Sequence, residues 1–505
     1  MITQPKKIRV RIAPSPTGNL HIGTARTALF NYLFAKKNNG VFVLRIEDTD
    51  TERSKKEFEK NIIDGLWWLG IYRDEGPAPE GCLGDYGPYR QSERTEIFTK
   101  YVQKLLDSGK AYHCFCSKED LTSKKEYQMS IGQPPHYDES CKKLSPAEVE
   151  KNISASRPFI IRMKTPMGKI AFHDLVRGKV EFDANLIDDF AIAKSLPNTK
   201  AISPLYHLAV VVDDKEMEIS HVIRGEDHIS NTPKQIVLQE ALGFPRPEYA
   251  HLPLILGADK SKMSKRHGAV SVDEYRQEGY LPEALINFMA FLGWNPGGEK
   301  EIYNKASLIK EFSLEKVQKA GAIFNIQRLN FLNGFYIRQK EILELTELCL
   351  PYLSAFIEKH GEGYKIKETG ETVDMNWLSK IIKAYQDRLK KLTEITELTD
   401  FFFKKTIEYD KELIRWKDMK DEEIEETLNK TKELLKNIEE IDFNKETLQE
   451  ILMPEAEACP GGDRGRLLWP LRAVLTGKKA SAGPFEVAEI LGKEKTLERI
   501  EKALK

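Results

Sequence analysis

A short segment rich in proline and glycine, APSPTGNLHIGT at residues 13–24, most constrains how this chain can fold. Residues 8–12 come before it and alternate apolar and polar side chains, which predicts a strand. Residues 24–37 are rich in helix formers with apolar residues at helical spacing, and residues 41–46 predict a second strand. A strand, a turn, a helix and a strand in this order predict the start of a parallel α/β sheet.

The turn itself has the chemistry of a phosphate site. A chain that leaves a sheet and enters a helix at His-Ile-Gly directs free backbone N–H groups outward, at the positive end of the helix dipole. Gly23 would permit a nucleotide phosphate to approach the backbone closely, and His21 could donate to a negative oxygen on the phosphorus. Any one of these residues alone would fit an ordinary strand-to-helix turn with a capping threonine equally well.

A second segment, KSKMSKRHG at residues 260–268, is strongly basic. Its cations are separated by small residues, which describes a loop that can close on polyphosphate, with each lysine acting as a point charge. Composition alone favours the alternative of a solvated basic loop.

Composition excludes several classes of protein. The 505 residues are 41% hydrophobic and 31% charged, which is enough for more than one core, and the net charge of −1 excludes a polybasic binder. No apolar run approaches the roughly 18 residues of a membrane span, and the N-terminal residues contain no apolar signal region. Six cysteines are too few for a disulfide framework, so we expect a cytoplasmic protein without a membrane partner.

Together the two segments resemble the signatures of class I aminoacyl-tRNA synthetases. Residues 14–24 are similar to the HIGH signature, with Thr24 in place of its last histidine, and KMSKR at residues 262–266 is similar to KMSKS. Other motifs narrow the resemblance to the glutamyl-tRNA synthetases and extend it over essentially the whole chain. They are RIEDTD at 45–50, YRQSER at 89–94, HVIRGEDHISNTPKQ at 221–235, YLPEALINFMAFLGW at 280–294 and WPLRAVLTG at 469–477.

The pattern along the chain and the resemblance together imply a fold class. It is an α/β Rossmann-like catalytic core with an inserted α/β acceptor-binding domain, followed by an all-α C-terminal anticodon-binding region. Residues 206–212, YHLAVVV, predict a buried strand of the core. The expected parts are the first half of the core at 1–105, the inserted domain at 106–205, the second half of the core at 206–258, a connecting region with the KMSKR loop at 259–335, and the helical region at 336–505.

The resemblance also implies an activity. Glutamate and ATP would form glutamyl-adenylate and diphosphate, and the glutamyl group would then pass to the terminal ribose of tRNA(Glu). The implied partners are therefore tRNA(Glu), L-glutamate and ATP with Mg²⁺, and the family implies a monomer. His21, Lys262 and Lys265 would be catalytic by stabilising charge on the phosphorus. The implied ATP-binding residues are Pro14, Ser15, Thr17, Gly18, His21, Gly23, Thr24, Asp227, Lys262, Met263, Ser264, Lys265 and Arg266.

Recognition of glutamate is expected to need cations for its carboxylates, and motif matching points to Arg11 and Arg224. Glu47 would take the substrate ammonium. Val210 occupies a position where some family members carry asparagine, so that polar contact is missing here. The implied glutamate-binding residues are Arg11, Ala13, Ser15, Glu47, Tyr206 and Arg224.

Cysteines in the inserted region predict a structural zinc site. Cys114, Cys116 and Cys141 are soft ligands, and Tyr137 matches a variant ligand of a shorter relative, whereas the histidine that several family members carry two residues after the third cysteine is Lys143 here. His113 and His136 remain alternative ligands, and three free buried cysteines without a metal remain the alternative to a site.

Three alternative functions fit this sequence less well. A shorter relative that modifies tRNA(Asp) lacks an anticodon-binding half, and a glutaminyl-tRNA synthetase would carry β-barrels where this sequence predicts helices. A non-catalytic tRNA-binding paralogue would tend to lose His21 or the lysines of KMSKR, which are present. The sequence leaves open the alternative of a non-discriminating enzyme that also charges tRNA(Gln).

Overall fold

A computed structural model of the protein describes residues 7–50, 52–196, 202–264, 266 and 268–505. The chain divides into two compact units. The first unit comprises Met1–Gln277 and Pro282–Leu329, and the second comprises Glu278–Leu281 and Asn330–Lys505. None of the described helices is long and apolar enough to cross a membrane.

The first unit alternates helices and short strands. Its helices are α1 Ile22–Lys37, α2 Lys56–Trp68, α3 Thr95–Asp107, α4 Lys118–Ser130, α5 Pro146–Ser154, α6 Tyr206–Glu216, α7 Thr232–Leu242, α8 Val272–Gln277, α9 Pro282–Ala290, α10 Lys305–Glu311 and α11 Ile326–Arg338, which begins here. Its strands are β1 Arg9–Ile12, β2 Val41–Leu44, β3 Gly76–Pro77, β4 Cys82–Leu83, β5 Ala111–Cys114, β6 Ile160–Met163, β7 Lys169–Asp174, β8 Gly178–Asp183, β9 Phe190–Ser195, β10 Ile202–Pro204, β11 His221–Gly225, β12 Glu248–Leu252, β13 Ile255–Leu256 and β14 Ala322–Ile323.

The strand–turn–helix–strand prediction is confirmed at the start of the chain. β1 and β2 are parallel and joined by α1, and all four residues of each strand are buried. β11 follows beside β1, where the Ser220 backbone N–H donates to the Arg9 carbonyl oxygen over 2.9 Å. Asn31 on α1 donates to the Ile223 carbonyl oxygen at 3.0 Å, which fixes the helix against β11. The carboxyl ends of β1, β2 and β11 therefore lie at one edge, the usual place for a ligand site in such sheets.

The segment between the two halves of this core forms a sheet of its own. β10, β9, β6 and β5 pair antiparallel in that order. The hairpin β7–β8 belongs elsewhere, because β7 pairs in parallel with β12 at Tyr249 and Asp174. Part of the segment predicted as the inserted domain thus completes the sheet of the core.

The predicted strand at residues 206–212 is wrong. These residues begin the helix α6, in which Leu208 to Asp214 are all buried. A continuous apolar run is expected for a helix buried on all sides as much as for a buried strand, so periodicity alone cannot separate the two.

The second unit is predominantly helical, as predicted. Its elements are α12 Ile342–Leu353, β15 Ile357–His360, β16 Gly363–Ile366, β17 Thr372–Val373, α13 Met375–Tyr385, α14 Glu394–Thr399, α15 Asp421–Lys436, α16 Lys445–Glu457, α17 Gly465–Thr476 and α18 Pro484–Ala503. The small antiparallel sheet β15–β16–β17 departs from the all-α expectation. Its strands are short and only Ile357 and Ile366 are buried, so they lack the alternation of buried apolar residues that marks a strand in sequence. The predicted boundaries between the parts of the chain stay predictions.

Candidate functional site

A cavity of 480 Å³ lies at the carboxyl ends of β1, β2 and β11 in the first unit. This volume is within the usual range for a small-molecule site. The residues that line it come from the end of β1 and the turn after it, the start of α1, the segment after β2, the start of α6, the end of β11 with the segment after it, and residues 254–263. Its lining residues are Arg11, Ile12, Ala13, Pro14, Ser15, His21, Gly23, Thr24, Arg26, Thr27, Glu47, Tyr206, Ile223, Arg224, Gly225, Asp227, His228, Leu254, Ile255, Lys262 and Met263.

Most of the residues predicted as a site therefore border one cavity. Thr17, Gly18, Ser264 and Arg266 are described but do not line it, and Lys265 lies outside the described residues. Arg266 instead contacts Ser261 and Asp259 in its own loop. Which of these residues bind a ligand stays a prediction.

His21 caps the N-terminus of α1. Its Nδ1 accepts a hydrogen bond from the Gly23 backbone N–H at 3.0 Å. A neutral imidazole that accepts at Nδ1 carries its proton on Nε2. Burial and the charge of Lys262 lower the pKa of His21, which favours this neutral form. The ring therefore offers an Nε2–H donor at the positive end of a helix that opens into the cavity.

Lys262 brings the basic loop to the cavity. Its ammonium lies 2.9 Å from Asp227 Oδ2, and both side chains are partly exposed. Burial alone would raise the pKa of Asp227, but the hydrogen bond and charge of Lys262, with smaller contributions from other neighbours, together outweigh it and the pKa is lowered. The two charges thus hold each other at the rim, where the ammonium is exposed enough to change partner.

Arg224, at the end of β11, has an incomplete set of partners. Its Nε donates to His251 Nε2 at 3.2 Å and its Nη2 donates to Thr232 Oγ1 at 2.8 Å. Its Nη1 is buried and has no hydrogen-bond partner among the described residues. A buried charged donor without an acceptor is costly, and an anionic group in the cavity would satisfy it.

Arg11 and Glu47 belong to a buried ion network behind the cavity. Asp214 accepts from Arg11 Nε at 3.1 Å and from Arg45 Nη1 at 2.8 Å. Arg45 Nη2 donates to Glu47 Oε1 at 3.0 Å, while no described residue bonds Glu47 Oε2. Burial raises the pKa of Glu47 in spite of the nearby arginines, so a cation in the cavity would stabilise its carboxylate. The Arg11 side chain is buried.

His228 is a cavity residue that the sequence did not single out. Its Nδ1 contacts the Tyr206 hydroxyl at 3.0 Å and accepts from Asn231 Nδ2 at 3.2 Å, so its proton lies on Nε2. Burial and the charge of Arg224 lower the pKa of His228 to about 4. The signal was present in the sequence, since His228 directly follows Asp227 in the HVIRGEDHIS motif.

Behind Arg224 lies a second buried polar group that sequence reasoning missed. His251 on β12 is hydrogen-bonded through Nδ1 to Asp174 Oδ2 at 2.6 Å, and both side chains are fully buried. The Thr232 hydroxyl lies 3.2 Å from His251 Nε2. Histidine and aspartate inside apolar strands, in AFHD and EYAHL, are the sequence signal, but only strand pairing shows that they meet.

The cysteine cluster in the first unit fits a tetrahedral metal ion. The Sγ atoms of Cys114, Cys116 and Cys141 all lie within 4.8 Å of one another, and those of Cys116 and Cys141 are 3.5 Å apart. Two sulfurs on one tetrahedral zinc ion would be about 3.8 Å apart, from a Zn–S distance of about 2.3 Å. The Tyr137 hydroxyl lies 3.2 Å from Cys114 Sγ, whereas neither His113 nor His136 belongs to the group.

Comparisons with known proteins agree over the whole chain. A family model described as tRNA synthetases class I (E and Q), catalytic domain, matches residues 7–331, and one described as an anticodon binding domain matches residues 344–504. A glutamate–tRNA ligase of Carboxydothermus hydrogenoformans is 45% identical over 494 residues, 98% of this chain and 99% of the relative. A glutamate–tRNA ligase of Desulforamulus reducens is 44% identical over 504 residues, 99% of this chain and 100% of the relative. A crystal structure of a glutamate tRNA ligase from Elizabethkingia meningosepticum in complex with its amino acid is 35% identical, with a TM-score of 0.85 over 99% of each chain.

Proposed function

The chain belongs to the class I tRNA synthetases of the E and Q group, and we propose that its cavity activates L-glutamate with ATP for transfer to tRNA(Glu). Its activity is that of a glutamate–tRNA ligase, as in the relatives that it matches over nearly their whole length. The observation that carries the assignment to this cavity is the buried Nη1 of Arg224, which has no partner among the described residues.

Glutamate is seated by charges of both signs. Arg224 Nη1 donates to a substrate carboxylate, and Arg11 adds a second guanidinium beside it although Asp214 already engages two of its nitrogens. The α-ammonium lies against Glu47, whose Oε2 no described residue bonds. Guanidinium donors match a carboxylate better than a neutral amide, which favours glutamate over glutamine.

In the first step an oxygen of the α-carboxylate attacks the α-phosphorus of ATP, and the bond to the diphosphate oxygen breaks. The His21 Nε2–H and the N-terminus of α1 stabilise the charge that grows on the non-bridging oxygens. Because the Lys262 ammonium is largely exposed, it can leave Asp227 and bind the phosphates of ATP. Lys265, like Lys262, stabilises charge on the phosphorus. Mg²⁺ enters with ATP as the counter-ion of its phosphates.

In the second step the terminal ribose hydroxyl of the tRNA attacks the activated carbonyl carbon and AMP leaves. The enzyme forms no covalent bond and acts by holding the two reactants in line. The second unit, which matches an anticodon binding domain, provides the other tRNA contact. The tRNA specificity for tRNA(Glu), the monomeric state and a cytoplasmic location complete the proposal.

Zinc is part of the proposal as a structural ion. Cys114, Cys116 and Cys141 supply thiolates and Tyr137 the fourth ligand, which closes the excursion of residues 117–140. Zinc in such a closed site adds folding free energy and leaves no open position for chemistry.

Charging assays with purified tRNA test the function. We expect ATP-dependent attachment of glutamate to tRNA(Glu) and no attachment of glutamine. The same assay with tRNA(Gln) decides whether the enzyme discriminates between the two tRNAs. A chain that binds tRNA(Glu) but charges neither tRNA would be the non-catalytic alternative.

A further inference from the structure

We propose that Asp174, His251 and Thr232 form a positioning network that fixes the Arg224 guanidinium in the orientation in which it binds the substrate carboxylate. This inference rests on the proposed role of Arg224. None of the three residues lines the cavity, so they act through Arg224 and do not touch the substrate.

The network occupies one edge of the guanidinium. Arg224 Nε donates to His251 Nε2 at 3.2 Å, and Nη2 donates to Thr232 Oγ1 at 2.8 Å. These two nitrogens form one of the edges of the guanidinium that can make a bidentate contact. Because Nε and one N–H of Nη2 are engaged, the donors left for a ligand are the two N–H groups of Nη1, which has no partner among the described residues, and the second N–H of Nη2. The network thus selects which part of the side chain the substrate meets.

The proton positions follow from the hydrogen bonds. Because His251 Nε2 accepts from Arg224, its proton lies on Nδ1, where Asp174 Oδ2 accepts it at 2.6 Å. Thr232 has one proton; its oxygen accepts from Arg224 Nη2 and its proton is donated to the His228 carbonyl oxygen at 3.5 Å, which leaves the single lone pair of His251 Nε2 to Arg224. Each donor in the network therefore has its own acceptor. Asp174 holds the proton of His251 on Nδ1, and this tautomer leaves Nε2 free to accept from Arg224.

Asp174 is itself firmly held as an anion. Burial alone would raise its pKa, but hydrogen bonds from His251 and from the backbone N–H groups of Arg177 and Val176 outweigh it, and the pKa is lowered. Those two amides donate to Oδ1 at 2.8 Å and 3.0 Å. Burial lowers the pKa of His251, which keeps the ring neutral as the geometry requires.

The network also joins two parts of the chain. Asp174 ends β7 of the β7–β8 hairpin, while His251 lies on β12, with which β7 pairs. Thr232 begins α7 after the HVIRGED segment. The β7–β8 hairpin therefore supports the cavity from behind by supplying Asp174, and the pairing of β7 with β12 brings that carboxylate to His251.

Steady-state charging of tRNA(Glu) by the full chain tests the proposal with Asp174→Asn. The amide N–H₂ would face His251 Nδ1, move the ring proton to Nε2 and set it against Arg224 Nε–H. We expect the KM for glutamate to rise about tenfold, the effect of losing one charge-assisted hydrogen bond, with the KM for ATP within about twofold of wild type. In an Arg224→Ala background we expect Asp174→Asn to change the glutamate KM by less than about twofold, because the network acts only through that arginine.

Tyr249→Phe is the matched control. Tyr249 lies on β12, like His251, and the substitution removes its buried hydrogen bond with Gln239 of α7 while retaining the aromatic ring. We therefore expect a lower melting temperature and an unchanged glutamate KM. If Asp174→Asn does not fold, Thr232→Val decides, because it is isosteric and removes the acceptor of Arg224 Nη2 together with the hydroxyl's own weak bond to the His228 carbonyl oxygen. We expect a rise of about fivefold in glutamate KM for it, of the size of one weaker hydrogen bond.

The outcomes separate the two proposals. If Arg224→Ala leaves the glutamate KM unchanged, the proposed role of Arg224 is wrong and the network inference fails with it. If Arg224→Ala raises the KM but neither Asp174→Asn nor Thr232→Val does, only the network inference is overturned. Equal rises in the KM for glutamate and ATP, or full additivity with Arg224→Ala, would reduce the three residues to general structural support and also overturn it.

Discussion

Lys262 Nζ and Asp227 Oδ2 are 2.9 Å apart at the rim of the cavity, so the basic loop is tethered to the wall that it faces. An ion pair between partly exposed groups contributes little free energy, typically below about 1 kcal/mol. The polyanionic phosphates of ATP can therefore compete for the lysine. In the proposed reaction, this pair would hold Lys262 near the reacting groups before ATP binds and release it to the phosphates.

We expect Lys262→Ala to lower the rate of glutamyl-adenylate formation by about 10²–10³, the effect of losing one preorganised charge donor in the transition state. Lys265→Ala is expected to act on the same scale. The KM for ATP should change much less than the rate, because an interaction that strengthens only in the transition state does not appear in substrate binding. Single-turnover formation of the adenylate in the presence of tRNA measures the rate.

Lys260→Ala is the control in the same loop, since Lys260 does not line the cavity. It should charge tRNA at the wild-type rate. Equal losses of ATP affinity and rate in Lys262→Ala would make that lysine a phosphate anchor without a specific part in the transition state.

We expect Arg224→Ala to raise the KM for glutamate about a hundredfold. The substrate carboxylate would lose its donor inside a buried site, which costs on the order of 2–4 kcal/mol. Arg224→Lys keeps the charge but cannot supply the two donors that His251 and Thr232 accept, so it should recover only part of the affinity. Charging assays over a range of glutamate concentrations give both values, and an unchanged KM in Arg224→Ala would assign this arginine to another group.

The sequence predicts best those features of the site whose residues are close together in the chain. The start of the core was predictable because β1, the turn and α1 are adjacent in the chain and each has its own pattern. The helix α6 was not, since its buried apolar residues give no contrast between faces. The network behind Arg224 was out of reach, because Asp174 and His251 are 77 residues apart and meet only through the pairing of β7 with β12.

The same distinction applies to charge. Motif matching placed Arg11 and Glu47 in a site, but the sequence does not show that Asp214, some 200 residues from Arg11, holds that arginine in place. Buried ion networks depend on tertiary packing, which a single sequence without an alignment does not reveal.

Elemental analysis of the purified protein is expected to find about one zinc ion per chain. Cys141→Ser should lose the metal and lower tRNA charging, because the excursion that the ion closes would no longer be ordered. Cys82→Ser is the matched control, since Cys82 is exposed and outside the cluster. A fully active wild-type protein without metal would leave Cys114, Cys116 and Cys141 as packed free cysteines.

Acid should destabilise the first unit through two histidines of the α6 and α7 region. Burial, followed by the charges of Lys234 and Arg224, lowers the pKa of His207 from 6.5 to about 4, and burial with Arg224 does the same for His228. The unfolded chain takes up these protons near pH 6.5, whereas the folded protein resists them until about pH 4. The stability that comes from each neutral ring is therefore complete above pH 6.5 and is lost as the pH falls towards 4.

Each histidine should remove up to about 1.4 kcal/mol of unfolding free energy per pH unit over this interval, or about 2 kcal/mol at pH 5. We expect His207→Gln to lose less stability than wild type between pH 7 and pH 5, measured by urea unfolding followed by fluorescence at each pH. His173→Gln, which changes an exposed histidine of β7, should keep the wild-type pH dependence.

His207 does not line the cavity, so the glutamate KM of His207→Gln at pH 7 should stay near that of wild type. Parallel stability curves for His207→Gln and wild type would show that His207 is not neutralised by folding, and the acid sensitivity would then have to come from His228 or from the carboxylates of the buried ion network.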